Sequence, residues 1–139
     1  MIRLILLLVA LVMSSGCTRL QFVKAMLKVR DSHRELGEHV QKGEAEQARS
    51  AARELVSSLL SPVITDDLTF AYDGDYQRFL LGALNAAHEL TEEVSSSERI
   101  QKYLTLDQAC VRCHEVYRPK SSAPEPTSPL IRSLQRESD

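Results

Sequence analysis

The sequence predicts an all-α protein, arranged as an antiparallel four-helix bundle. Ala, Leu, Glu, Gln, Arg and Lys, which have the highest helix propensities, dominate the chain, and runs of β-branched residues are few. Apolar residues recur three and four positions apart over four separate stretches, as expected for helices with one buried face. Most links between these stretches are short, and short links favour antiparallel neighbours.

The first predicted helix covers residues 19–42. Thr18 and Gln21 form a T-x-x-Q capping box at its start, and Gly43 supplies a C-terminal stop. Steps of three and four residues select the side that faces the core. His33 therefore occupies a core position among apolar residues, in the stripe Phe22, Met26, Val29, His33, Leu36 and Val40.

The second predicted helix covers residues 44–60, with Pro62 beyond its end, and a loop follows over residues 61–74. The third predicted helix covers residues 75–94. The Asp-Gly-Asp segment at 73–75 is interpreted as a turn and helix cap, because the further ligands of a calcium loop are missing. Both helices carry small inward residues that allow close approach and leave room for a bulky group elsewhere: Ala45, Ala48, Ala52, Ala83 and Ala87.

The fourth predicted helix starts at a Ser95/Glu98 capping box and continues to Arg118, where Pro119 ends it. Its core-facing stripe consists of Ile100, Tyr103, Leu106, Cys110, Cys113 and Tyr117. Residues 120–139 hold Ser and Pro with little apolar content, so a disordered tail is predicted.

The N-terminus is predicted to be a secretory signal peptide over residues 1–16. Arg3 gives it a positive start, and the apolar run at residues 4–13 is too short to span a bilayer stably. The Ser-Ser-Gly-Cys ending resembles a lipoprotein signal, in which Cys17 is acylated and becomes the new N-terminus; simple cleavage is the alternative. We expect the domain, residues 17–119, to be periplasmic and anchored to a membrane surface.

Cys110, Cys113 and His114 spell C-x-x-C-H, the attachment signature of c-type haem. Cys113 and His114 lie three and four residues after Cys110, and residues at these spacings share a helix face. Two thiols and an imidazole can therefore bind one macrocycle. We expect one covalent haem c per chain, attached to the last helix, with His114 as iron ligand. The alternative is a haem-free lipoprotein whose C-x-x-C forms a thiol site, a metal site or a disulfide.

His33 is the predicted second axial ligand of the iron. His114 lies near the end of the fourth helix, and an antiparallel first helix presents its N-terminal half at the same level. Met26, on the same stripe, is the competing ligand. The simpler interpretation of His33 is a core histidine bonded to another side chain. His39 and His88 are predicted to be solvent-facing or structural.

The placement of C-x-x-C-H-x-x-Y-R just before the end of the chain resembles the class II c-type cytochromes, the cytochrome c-prime family. The resemblance implies a left-handed four-helix bundle, often a homodimer, with haem near one end. It also implies that Cys110 and Cys113 form the thioether bonds and that His114 is the proximal ligand. Arg118 resembles the basic residue that these proteins carry near the proximal side.

The resemblance also bears on the opposite side of the iron. Many members carry a residue over the distal face four positions before a Gly, and His33 stands four positions before Gly37. Members with an apolar distal residue are five-coordinate and bind carbon monoxide or nitric oxide, whereas low-spin relatives carry a Met ligand. A His departs from both patterns.

These features predict an electron-transfer cytochrome with a redox partner protein, and the alternative function is binding or sensing of a gas at an open iron position. The net charge is −2 and no basic block occurs, so nothing points to nucleic acid. No catalytic triad, phosphate-binding loop or paired-carboxylate motif stands out, so we do not expect an enzyme.

Overall fold

The computed structural model describes the backbone of residues 2–66 and 73–117, and the side chains from residue 19 onward. The described part of the chain contains helices and no strands, which confirms the predicted all-α class. Arg118 and the predicted tail lie outside the described residues. The helices are α1 (Ile2–Lys42), α2 (Ala45–Leu59), α3 (Pro62–Thr65), α4 (Gly74–Glu89) and α5 (Ser96–Tyr117).

Helix α1 is longer than predicted. It begins at Ile2, so the capping box at Thr18 and Gln21 does not start a helix. Residues 2–16 include several good helix formers, Leu above all, and a helix, once nucleated, gains one hydrogen bond for each residue it adds. The predicted C-terminal end is confirmed, because Gly43 has φ 73° and its amide donates to the Val40 carbonyl at 3.2 Å.

Helix α2 lies within its predicted range, but the region after it differs from the prediction. Ala45, predicted to face inward, is exposed. The predicted loop over residues 61–74 contains the short helix α3, which begins at Pro62 because proline has a helical φ and needs no amide donor there. Ile64 is fully buried, and its carbonyl accepts a hydrogen bond from the Tyr76 hydroxyl at 3.2 Å. This contact ties α3 to α4.

Helix α4 begins as predicted, because the Asp73 carboxylate accepts from the backbone amides of Asp75 at 2.9 Å and of Tyr76 at 3.1 Å. It ends at Glu89, so the predicted end at residue 94 is wrong. The Thr91 hydroxyl donates to the His88 carbonyl at 2.7 Å, and such local bonds compete with continuation of the helix.

Helix α5 starts at the predicted cap, where the Ser95 hydroxyl accepts from the Glu98 amide at 3.3 Å. It packs against α4 and α1, while α1 also contacts α2 and α3. Gly37 faces Tyr103 and His33 faces Asp107, so α1 and α5 run antiparallel. The largest fully buried side chains are Tyr76, Tyr103, Leu36, Leu55, Ile64, Leu90 and Leu106.

Gly37 allows α1 and α5 to approach closely. A Cβ atom at this position would lie 2.9 Å from Cζ of Tyr103 and closer still to its hydroxyl oxygen. Tyr103 is fully buried, so its ring has little room to move aside.

Among the residues that the structure describes, no helix has both the length and the apolar character that crossing a bilayer requires.

Because a Cβ at position 37 would clash with Tyr103, replacement of Gly37 by Ala should destabilise the protein by about 1–3 kcal/mol. This overpacking outweighs the gain in helix propensity. Gly82→Ala is the matched control, because nothing lies within 4 Å of the Cβ position there. That change should stabilise α4 by about 0.5–1 kcal/mol. Urea unfolding followed by circular dichroism measures both. Equal effects of the two substitutions would contradict the close contact.

Candidate haem attachment site

The two cysteines of the C-x-x-C-H motif lie on the C-terminal half of α5 and pack against the core as half-buried free thiols. Burial, with the nearby Asp107 and Cys113, raises the pKa of Cys110 to about 12. Burial also raises the pKa of Cys113. Reactive thiols need a lowered pKa, so this environment does not favour the alternative of a thiol site.

His114 follows the two thiols and is exposed. Cys113 and His114 lie three and four residues after Cys110, so each of them neighbours Cys110 on α5, although the two adjacent side chains point in different directions. The thiols thus face the protein interior while the imidazole reaches the surface beside them.

His33 lies on α1 opposite Tyr103 and Asp107 of α5, as predicted for a position that faces the core. Its side chain is only 17% exposed, and its Nε2 atom lies 3.5 Å from Oδ1 of Asp107. The imidazole stacks on the ring of Tyr103, with centroids 5.2 Å apart and an angle of 22° between the planes. The ring therefore has a defined position at the α1–α5 interface.

Burial, assisted by the positive charge of His114, lowers the pKa of His33 to about 4. His33 is thus neutral at pH 7, and the neutral imidazole is the form that binds metal ions. The contacts of His33 are with Asp107, which lies about two helical turns before His114 on α5. The two histidines that the sequence selected as iron ligands are thus on facing helices but about two turns apart in this structure.

Asp107 is the residue of this region that the sequence reasoning missed. It is 4% exposed, and burial raises the pKa of its carboxyl group. Within the described part of the chain, neither its Oδ2 atom nor Nε2 of His33 has a hydrogen-bond partner, although both are buried. The available signal was spacing, because Asp107 lies four residues after Tyr103 and three before Cys110 on one helix face.

The other predicted residues take less central positions. Met26 is half-buried against the core and stays an alternative ligand. His39 has its Nδ1 atom 2.6 Å from Oε2 of Glu44 at the turn between α1 and α2, which is a structural role as predicted. His88 is exposed, also as predicted. The side chain of Cys17 lies outside the described side chains.

The side chains present fit a covalently attached haem. Two thiols and an imidazole share one region of α5, and a second, neutral imidazole offers a buried nitrogen that lacks a hydrogen bond. Such a group needs no larger cluster of chelating side chains. In the described residues, no three His, Cys, Asp or Glu side chains converge as a metal-binding group.

Comparisons of this chain with protein families, with curated proteins and with solved structures found no match.

The lowered pKa of His33 predicts a pH-dependent stability of the protein prepared without haem. The unfolded chain, with a His pKa of 6.5, binds this proton more tightly than the folded chain, with a pKa of about 4. Stability is therefore full above the unfolded value and is lost as the pH falls. Between pH 7 and pH 5 the free energy of unfolding should drop by about 2 kcal/mol through this residue.

Urea unfolding at a series of pH values measures this effect. His33→Gln should flatten the pH dependence, whereas His88→Gln, at an exposed position, should leave it unchanged. The raised pKa of Asp107 acts in the opposite direction and is retained in both variants. Parallel curves for the wild type and His33→Gln would show that His33 is not buried as a neutral imidazole.

Proposed function

We propose that this chain is a c-type cytochrome, a four-helix bundle that carries one covalent haem and transfers electrons outside the cytoplasm. The proposal is supported by the C-x-x-C-H motif, by its position near the end of the last described helix, and by the resemblance to class II c-type cytochromes. The single observation that carries it is the C-x-x-C-H motif on α5, with a neutral, half-buried His33 on the facing helix α1.

Each residue has a defined task in this proposal. Cys110 and Cys113 would hold the haem through thioether bonds, and His114 would bind the iron from the proximal side. When bound, the haem supplies one-electron redox chemistry at its iron. The exposed position of His114 means that the attached group would lie near the protein surface, where a redox partner can approach.

His33 is proposed as the sixth ligand. Its Nε2 atom is buried without a hydrogen bond among the described residues, which is costly for an imidazole unless another group binds it. Two protein ligands keep the iron low-spin in both oxidation states, so little rearrangement accompanies electron transfer, and His/His ligation lowers the potential relative to His/Met. This coordination suits an electron carrier.

One observation favours a second candidate function, the binding of nitric oxide or carbon monoxide. Nε2 of His33 lies 3.5 Å from Oδ1 of Asp107, and a bond to this carboxylate would keep the nitrogen away from iron. The sixth position would then stay open to a gas. The two functions differ in whether Nε2 of His33 bonds to Asp107 or binds the iron.

Visible spectra of the protein matured in a host competent for c-type haem attachment test the proposal. The reduced protein should show sharp low-spin bands that carbon monoxide does not change. His33→Ala should convert it to a high-spin form that binds carbon monoxide, while His88→Ala, at an exposed site, should not. A high-spin wild type that binds carbon monoxide would favour the second function.

Covalent attachment is tested separately by the mass of the denatured protein. The wild type should keep one haem, and the Cys110→Ser/Cys113→Ser double variant should lose it on denaturation. His114→Ala should retain any haem already attached but change its spectrum, because this residue binds iron and forms no thioether. Absence of covalent haem from the wild type would contradict the proposal.

We also propose a lipid anchor at the membrane, which depends on acylation of Cys17. Labelled palmitate supplied to cells should enter the wild-type protein and should be absent from the Cys17→Ser variant, since only the thiol accepts the lipid. Cys110→Ser is the control for a cysteine elsewhere in the chain. A processed but unlabelled wild type would show simple cleavage instead of a lipid anchor.

A further inference from the structure

An exposed apolar stripe runs along α1 shortly after Cys17. Leu20, Val23 and Leu27 are 56%, 47% and 42% exposed. Their spacing of three and four residues places them on one side of the helix. Val29, which belongs to the core, lies on the opposite side of α1. The stripe is therefore a second apolar face, and the packing of the described helices does not cover it.

Basic residues border this stripe on both sides. Lys24 and Lys28 lie one and two turns beyond Leu20, while Arg19 and Arg30 lie one turn from Val23 and Leu27 on the other edge. All these basic side chains are exposed, and residues 19–30 contain no acidic residue.

The first acidic residue after this stretch is Asp31. It pairs with Arg30 at 3.2 Å and lies 3.8 Å from Arg34. The first negative charge therefore lies just beyond the apolar stripe, and all charged side chains in residues 19–30 are positive.

An apolar stripe between basic rows is the pattern of a helix that lies in the surface of a membrane. The apolar side chains enter the boundary between headgroups and acyl chains, and the basic side chains meet anionic lipid headgroups. A second copy of the chain fits this face less well, because pairing two such faces would bring their basic rows together. Charge complementarity therefore selects an anionic lipid surface.

We propose that residues 19–30 of α1 form a membrane-surface contact that binds anionic phospholipid. The contact extends the membrane location proposed above, but it requires neither haem nor a lipid on Cys17. Because α1 and α5 are antiparallel, this segment lies on the side of the protein that carries the C-terminal half of α5. A lipid-bound α1 would hold the haem attachment motif close to the membrane.

Vesicle co-sedimentation of the matured chain tests this proposal. The chain should start at residue 17 and carry Cys17→Ser, so that neither the leader nor an acyl group contributes to binding. We expect binding to vesicles that contain phosphatidylglycerol, weaker binding as salt is added, and little binding to phosphatidylcholine alone.

Charge-reversal variants distinguish lipid binding by this face of α1 from a general effect of the net charge of the protein. Lys24→Glu/Lys28→Glu should weaken binding to phosphatidylglycerol vesicles by about tenfold or more. Arg53→Glu/Arg78→Glu makes the same change of net charge at exposed positions on α2 and α4, and should weaken it far less. Equal losses in the two double variants would overturn the proposal.

The apolar stripe has its own matched control. Leu20→Ser/Leu27→Ser should also lose most binding, whereas Leu81→Ser, at a position 58% exposed on α4, should retain it. Circular dichroism of each variant confirms that it is folded. Absence of vesicle binding by the folded Cys17→Ser protein would overturn the proposal, as would a dimer that the Leu20→Ser/Leu27→Ser change dissociates. The absorbance of haem in the same samples reports the proposed cytochrome function independently.

Discussion

The close approach of α1 and α5 at Gly37 is the constraint on which the rest of the site depends. The ring of Tyr103 fills the space that a side chain at Gly37 would need, and the same ring stacks on His33 one turn away. This contact fixes the distance between the helices and the position of the imidazole. It thereby sets His33 beside Asp107 and within electrostatic reach of His114.

The chemistry of the site follows from burial at this interface. Exclusion of water keeps His33 neutral and raises the pKa values of Cys110, Cys113 and Asp107. A neutral imidazole is the form that would bind iron in the proposed cytochrome. The carboxyl group of Asp107, beside this imidazole, would then compete with iron for Nε2 of His33.

The two proposed functions use different faces of α1. The inner face carries His33 toward α5, and the outer face of residues 19–30 offers apolar and basic side chains to a lipid surface. Both faces belong to one continuous helix, so membrane contact and haem position would be linked in orientation. An electron carrier held in this way would exchange electrons with partners at the membrane instead of diffusing freely.

The sequence by itself determined the features that depend on neighbouring residues. The all-α class, the stop at Gly43 and the cap at Asp73 follow from propensities and hydrogen bonds within one turn, and the C-x-x-C-H spacing needs only a helix. Propagation of a helix through good helix formers also accounts for the extension of α1 back to Ile2. Only the tertiary structure decided that Ile64 is buried and bonded to Tyr76 and that Asp107 faces His33, because these features depend on contacts between distant segments, which local spacing does not encode.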